Sequence, residues 1–163
     1  MGKYERVWIA FLIGVVICSV VVFYAQWSQE DPDKAFIHAY DESFDELEPY
    51  SVEFLERVTA LEISDAATVA KQDLIPIYDK YINRVKGIPV SSKYVKLKDE
   101  YMAYLTDMRK GYNIFASFEG DSSANVLLFG EDRVEKCYGY IDDGMKHKRN
   151  CEYIRDHMYE RTS

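Results

Sequence analysis

Two cysteines, Cys137 and Cys151, are the side chains best suited to covalent chemistry in the C-terminal half of this 163-residue chain. The bond open to them is a disulfide, and their spacing poses a geometric condition. On one straight helix their separation of fourteen residues means roughly 21 Å of rise, against the roughly 4.4–6.8 Å between Cα atoms that a bridge tolerates. A bond therefore requires the chain to reverse between them. Asp142, Asp143, Gly139 and Gly144 are weak helix formers, and each cysteine stands seven residues from Gly144. A reversal at 142–144 would bring the two thiols face to face across a helical hairpin, where an oxidising compartment would join them. Cys137 and Cys151 are carried forward as a candidate disulfide.

An oxygen-rich set comes next. His38, Asp41, Asp45 and Glu48 follow one another at steps of three, four and three, which puts them on one side of a helix in a form that suits a hard cation. A carboxylate-bridged di-iron bundle needs paired Glu-x-x-His segments, and the chain has none. His147 and His157 lack zinc-site spacing. The set reads as surface charge, so no metal and no cofactor is assigned. Catalytic signatures are also missing: there is no G-x-S-x-G, no phosphate-binding G-x-x-x-x-G-K, no H-E-x-x-H and no C-x-x-C. No catalytic residue is assigned, and the chain reads as a non-enzyme.

Tyrosine is abundant, at fourteen residues beside eight Phe and two Trp. Tyr78, Tyr81, Tyr94, Tyr101 and Tyr104 would line a gap between two central helices if the protein bound a small molecule or cation. They share stripes with Leu74, Val85 and Leu97, so their first reading is core. A cavity of several hundred Å³ between those helices would favour the ligand reading.

These residues need helices to position them, and helical spacing runs through almost every segment after Asp31. Asp31 and Pro32 form a cap and a first helical position. They open a helix with Phe36, Tyr40, Phe44 and Leu47 inward, expected to stop at Glu48 before Pro49. A Ser51 cap predicts a second helix with Phe54, Leu55, Val58 and Leu61 inward. A third is predicted over 66–86, capped by Ser64 and Asp65 and kinked at Pro76, where a donor to the Gln72 carbonyl is lost. Its stripe is Ala67, Ala70, Leu74, Ile77, Tyr78, Tyr81 and Val85, and it stops at Gly87, Ile88 and Pro89. After a Ser91-Ser92 cap, Tyr94, Leu97, Tyr101, Tyr104, Met108 and Phe115 form a heptad seam interrupted at Gly111, which suits packing within a bundle. Gly120 to Ser123 make a loop, and a last helix carries Leu127, Val134, Tyr138 and Ile141 inward.

What fixes the setting of this bundle is the start of the chain. Residues 7–25 hold nineteen positions without a charge, close to the length that crosses a hydrocarbon core of roughly 30 Å. The run exceeds the roughly 7–15 residues of a signal-peptide core and lacks a small-x-small cleavage site. Ile17 before Cys18 argues against lipoprotein processing. Tyr4, Trp8, Tyr24 and Trp27 fall at the two interfaces. Lys3 and Arg6 precede the run while Glu30, Asp31 and Asp33 follow it, which predicts a cytoplasmic N-terminus. Ala10, Gly14 and Cys18 recur every fourth residue and offer a close-packing face through which a homodimer would form.

Charge bounds the partners. The chain carries −8 overall, and residues 30–49 hold eight acids against one Lys. No basic face of the density that displaces counterions from phosphates exists, so nucleic acid is excluded. The run Lys146, His147, Lys148 and Arg149 is the only cationic cluster after residue 27 and is expected to offset the acidic helix, the alternative being that it meets an acidic partner. The sequence thus predicts an all-α protein: a cytoplasmic tail over 1–6, a transmembrane anchor over 7–27 in contact with lipid, and a domain over 28–163 outside the cytoplasm. That domain is an antiparallel bundle of about four to five helices, acting as a non-enzymatic contact module for a protein partner.

Overall fold

A computed structural model describes residues 31–160, which form six α-helices joined by short connections. The first, α1 (Pro32–Thr59), begins where Asp31 accepts a hydrogen bond from the Asp33 backbone N–H at 3.1 Å, with Pro32 at the first helical position. It does not stop at Glu48. The helix continues through Pro49, because Leu47 and Phe54 on either side are both buried in the same core. Two such burials, each worth about 1.5–3 kcal/mol, offset the roughly 3 kcal/mol that an internal proline costs. The Ser51 cap is therefore not used, and Leu55 and Leu61 lie 65% and 59% exposed rather than inward.

At its end α1 closes on Leu61, which holds φ +61° while the Glu62 and Leu61 backbone N–H groups bond back to Arg57 and Val58. The next stretch divides into α2 (Ile63–Val69), a π-helical turn (Ala70–Leu74) and α3 (Ile75–Gly87). The wide turn stands just before Pro76, whose missing N–H leaves the Gln72 carbonyl without its usual donor, and the Ile75 N–H bonds back to the Ala70 carbonyl. Ser64 does not cap: its hydroxyl accepts from the Gly120 N–H at 2.9 Å, tying α2 to a distant loop. All seven stripe residues from Ala67 to Val85 are buried as predicted.

Next, α4 (Val95–Ala116) buries Leu97, Tyr101, Tyr104, Leu105, Met108 and Tyr112 and runs through the middle of the molecule. The loop at Gly120, which holds φ +84°, leads into α5 (Ser123–Phe129), capped by the Ser122 hydroxyl. The last helix, α6 (Glu131–Glu160), is continuous across Asp142, Asp143 and Gly144. The predicted hairpin does not form, and Cys137 and Cys151 are both free and buried. The seven-residue intervals around Gly144 are heptad spacing on one face of a straight helix, which seats Cys137, Gly144 and Cys151 against α4. Small side chains there permit close approach: a Cβ on Gly144 would stand 2.8 Å from the Met108 sulfur, and one on Gly111 would stand 2.8 Å from Ile141. Tyr138, predicted inward, is 63% exposed.

The four long helices form an antiparallel bundle. Ion pairs set the directions: Glu42 to Arg84 and Glu46 to Lys80 between α1 and α3, Asp79 to Arg109 between α3 and α4, and Glu100 to His147 between α4 and α6. The tightest packing is α4 on α6, with α3 on the other side of α4 and α1 lying over α2 and α3. Aromatic rings fill the space between α1 and α4, with centroid distances of 4.8 Å for Tyr40 and Tyr101, 5.6 Å for Phe44 and Tyr104, and 5.0 Å for Phe54 and Tyr112. A smaller core of Ile63, Ala67, Phe118 and Val126 sits beneath α5. Among the described residues no helix is long and apolar enough to cross a membrane. Residues 7–27, with Ala10, Gly14 and Cys18, lie outside the described residues.

Candidate functional site

Rings as large as Tyr and Phe hold α1 away from α4, and the bundle opens along that side. Between α1 and α6 runs a cleft of about 770 Å³. Its floor is Tyr78 from α3 with Tyr104, Met108 and Tyr112 from α4. One wall is α1, through Asp41, Phe44, Asp45, Glu48, Ser51, Val52 and Leu55; the other is α6, through Met145, Lys148, Glu152 and Arg155. The walls meet through long side chains rather than close backbone packing: Arg155 bonds Asp41 at 2.7 Å, and the Lys148 ammonium stands 5.3 Å from the centre of the Phe44 ring.

The floor is built of tyrosine rings and Met108. The Tyr78 and Tyr104 hydroxyls lie 3.3 Å apart, and burial pushes the Tyr78 phenol well above the ordinary range and raises that of Tyr104, so both stay neutral. Behind Phe44, fully buried Ser43 donates to the Tyr40 carbonyl at 2.7 Å and pairs with the Tyr101 hydroxyl. Tyr81 donates to Glu46 at 2.7 Å on the far side of α1. Of the five tyrosines proposed to line a gap, only Tyr78 and Tyr104 reach the cleft; Tyr81, Tyr94 and Tyr101 pack elsewhere in the core.

The acidic stripe of α1 divides between two faces. Toward α3, hydrogen bonds from Arg84 hold the Glu42 carboxyl below its usual range, and bonds from Lys80 and Tyr81 do the same for Glu46. Toward the cleft, Asp41 is paired with Arg155, whereas Asp45 and Glu48 make no ion pair among the described residues. His38 turns away to Glu42 at 3.1 Å. The set of His38, Asp41, Asp45 and Glu48 does not converge, and no group of three or more His, Cys, Asp and Glu side chains among the described residues has metal-holding geometry.

The basic run of α6 does not offset α1 as expected. Lys146 pairs with Asp142 and Asp143 on its own helix, and His147 bonds Glu100 at 2.7 Å on α4. The neutralising cations of α1 are instead Lys80 and Arg84 of α3 and Arg155 of α6. Both thiols are chemically quiet: burial pushes Cys137 up to about 11 and Cys151 up to about 12, and the Cys137 thiol donates to the Gly111 carbonyl at 3.2 Å.

Val52, Leu55, Met145 and Arg155 belong to the cleft; sequence reasoning passed over Val52, Met145 and Arg155 and placed Leu55 in the core. A signal was present for two of them: Val52 and Leu55 fall off the buried stripe of an α1 that continues past Pro49, and they are 52% and 65% exposed. The chain matches no protein-family model, no curated protein and no solved structure.

Proposed function

We propose that the chain is a single-pass membrane protein that holds its helical bundle outside the cytoplasm and works by non-enzymatic contact with a partner protein seated in the cleft between α1 and α6. The observation that carries this reading is the shape of the cleft. The α1 wall runs from Asp41 to Leu55, four turns or about 21 Å, which is the footprint of a peptide segment rather than of a compact metabolite. The anchor over 7–27 and the charges flanking it supply the orientation. A second reading, a small-ligand-binding bundle, draws on the volume of about 770 Å³, which lies in the range of small-molecule sites.

Photo-crosslinking in intact membranes separates the two. A photoreactive residue at Leu55 should give a discrete protein adduct, and one at Val95, exposed on α4, should give none. Adducts of equal yield from both positions, or none from Leu55 in living membranes, would remove the protein-contact reading.

A further inference from the structure

The cleft is asymmetric along its length, and the asymmetry describes its occupant. Near its middle the α1 wall carries Asp45 and Glu48, which have no cation of their own among the described residues, while the two cations opposite are engaged: Arg155 with Asp41 and Lys148 with Glu152. One to two turns further, the wall changes to exposed Val52 and Leu55. We infer that the cleft takes one amphipathic helix of a partner protein, with Lys or Arg against Asp45 and Glu48 and aliphatic side chains against Val52 and Leu55. The inference rests on the protein-contact reading and adds the chemistry of the partner. Charge fixes the sign: the lining is net negative, and a basic segment supplies the matching donors. Length fixes the form, since about four helical turns fit the wall.

The test uses the full-length protein in nanodiscs of neutral lipid, with empty nanodiscs as the blank. The probe is a fluorescent helix-forming peptide of about fourteen residues, bearing two Lys one turn apart and two Leu a turn further on. Its anisotropy should report binding that weakens about tenfold or more when both Lys become Glu. Replacing Asp45→Asn together with Glu48→Gln should cause a similar loss, as should Val52→Ser with Leu55→Ser. All four positions are exposed, so helical circular dichroism should stay unchanged. Equal binding of the Lys and Glu peptides, or binding indifferent to both double variants, overturns the inference. So does displacement of the peptide by tetramethylammonium, which marks a small-cation site, or a Leu55 adduct that proves to be a second copy of this chain. A Leu55 adduct with another protein alongside an indifferent peptide overturns the partner's chemistry alone. Absence of any adduct at Leu55 overturns the protein-contact reading beneath it.

Discussion

Ser43 is fully buried, and its position dictates what it does. Its hydroxyl gives its proton to the Tyr40 carbonyl and receives the Tyr101 hydroxyl, so a single oxygen satisfies the phenol at the centre of the aromatic layer. Ser43→Ala should cost about 1–3 kcal/mol, because the Tyr101 hydroxyl would be buried without an acceptor. Adding Tyr101→Phe to that variant should recover part of the loss, as the orphaned group is then gone. Urea denaturation followed by circular dichroism measures both, and a double variant less stable than Ser43→Ala would show that the phenol has another acceptor. Neither role was legible from residue type, since a serine on a helix is ordinarily a surface residue. The tyrosine stripe itself was legible, because Tyr101 and Tyr104 keep heptad company with Leu97 and Met108.

For the helices, the same glycine carries two meanings that composition does not separate. Gly144 lies under Met108, whereas Gly139 has nothing within 4 Å of where a Cβ would stand. Gly139→Ala should therefore stabilise the domain by about 0.5–1 kcal/mol through helix propensity alone. Gly144→Ala should destabilise it by about 1–3 kcal/mol as Met108 is forced aside. Thermal melts of the pair test this, and a stabilising Gly144→Ala would mean that Met108 yields freely. Local signals located some features: the Asp31 cap, the Gly87 stop and the buried stripe from Ala67 to Val85 stand where they were read, whereas the Ser51, Ser64 and Ser91-Ser92 caps do not form. They failed where long-range packing outweighed propensity, at Pro49 inside α1 and at Asp142 to Gly144 inside α6. The cleft was hidden for the same reason. Its α1 wall spans Pro49, and a sequence cut there leaves Asp45 and Leu55 on separate helices.

Across the whole molecule, ion pairs join each long helix to its neighbours, and this makes stability depend on acid. Glu42 and Glu46 on α1 and Glu100 on α4 all have carboxyls held below the ordinary value by hydrogen bonds, from Arg84, from Lys80 and Tyr81, and from His147 with Asn150. A folded-state value below the unfolded one gives stability that is present above about pH 4.3, the ordinary Glu value, and is lost as pH falls through the depressed values. Melting temperature should thus fall as pH drops below that point. Glu100→Gln should flatten the fall, since Glu100 is the most buried of the three, at 23% exposed. An unchanged acid profile in that variant would assign the sensitivity to other groups. Finally, the aromatic layer between α1 and α4 is built wholly of Phe and Tyr, and both indoles of the chain, Trp8 and Trp27, precede residue 31. Light emitted by indole therefore reports on the N-terminal segment alone, and near-ultraviolet tyrosine dichroism reports on the bundle. One intact sample thus carries two separate optical channels, so the response of the indoles to brominated lipid, which tests the proposed anchor, and melting of the ring layer can be followed together without a label.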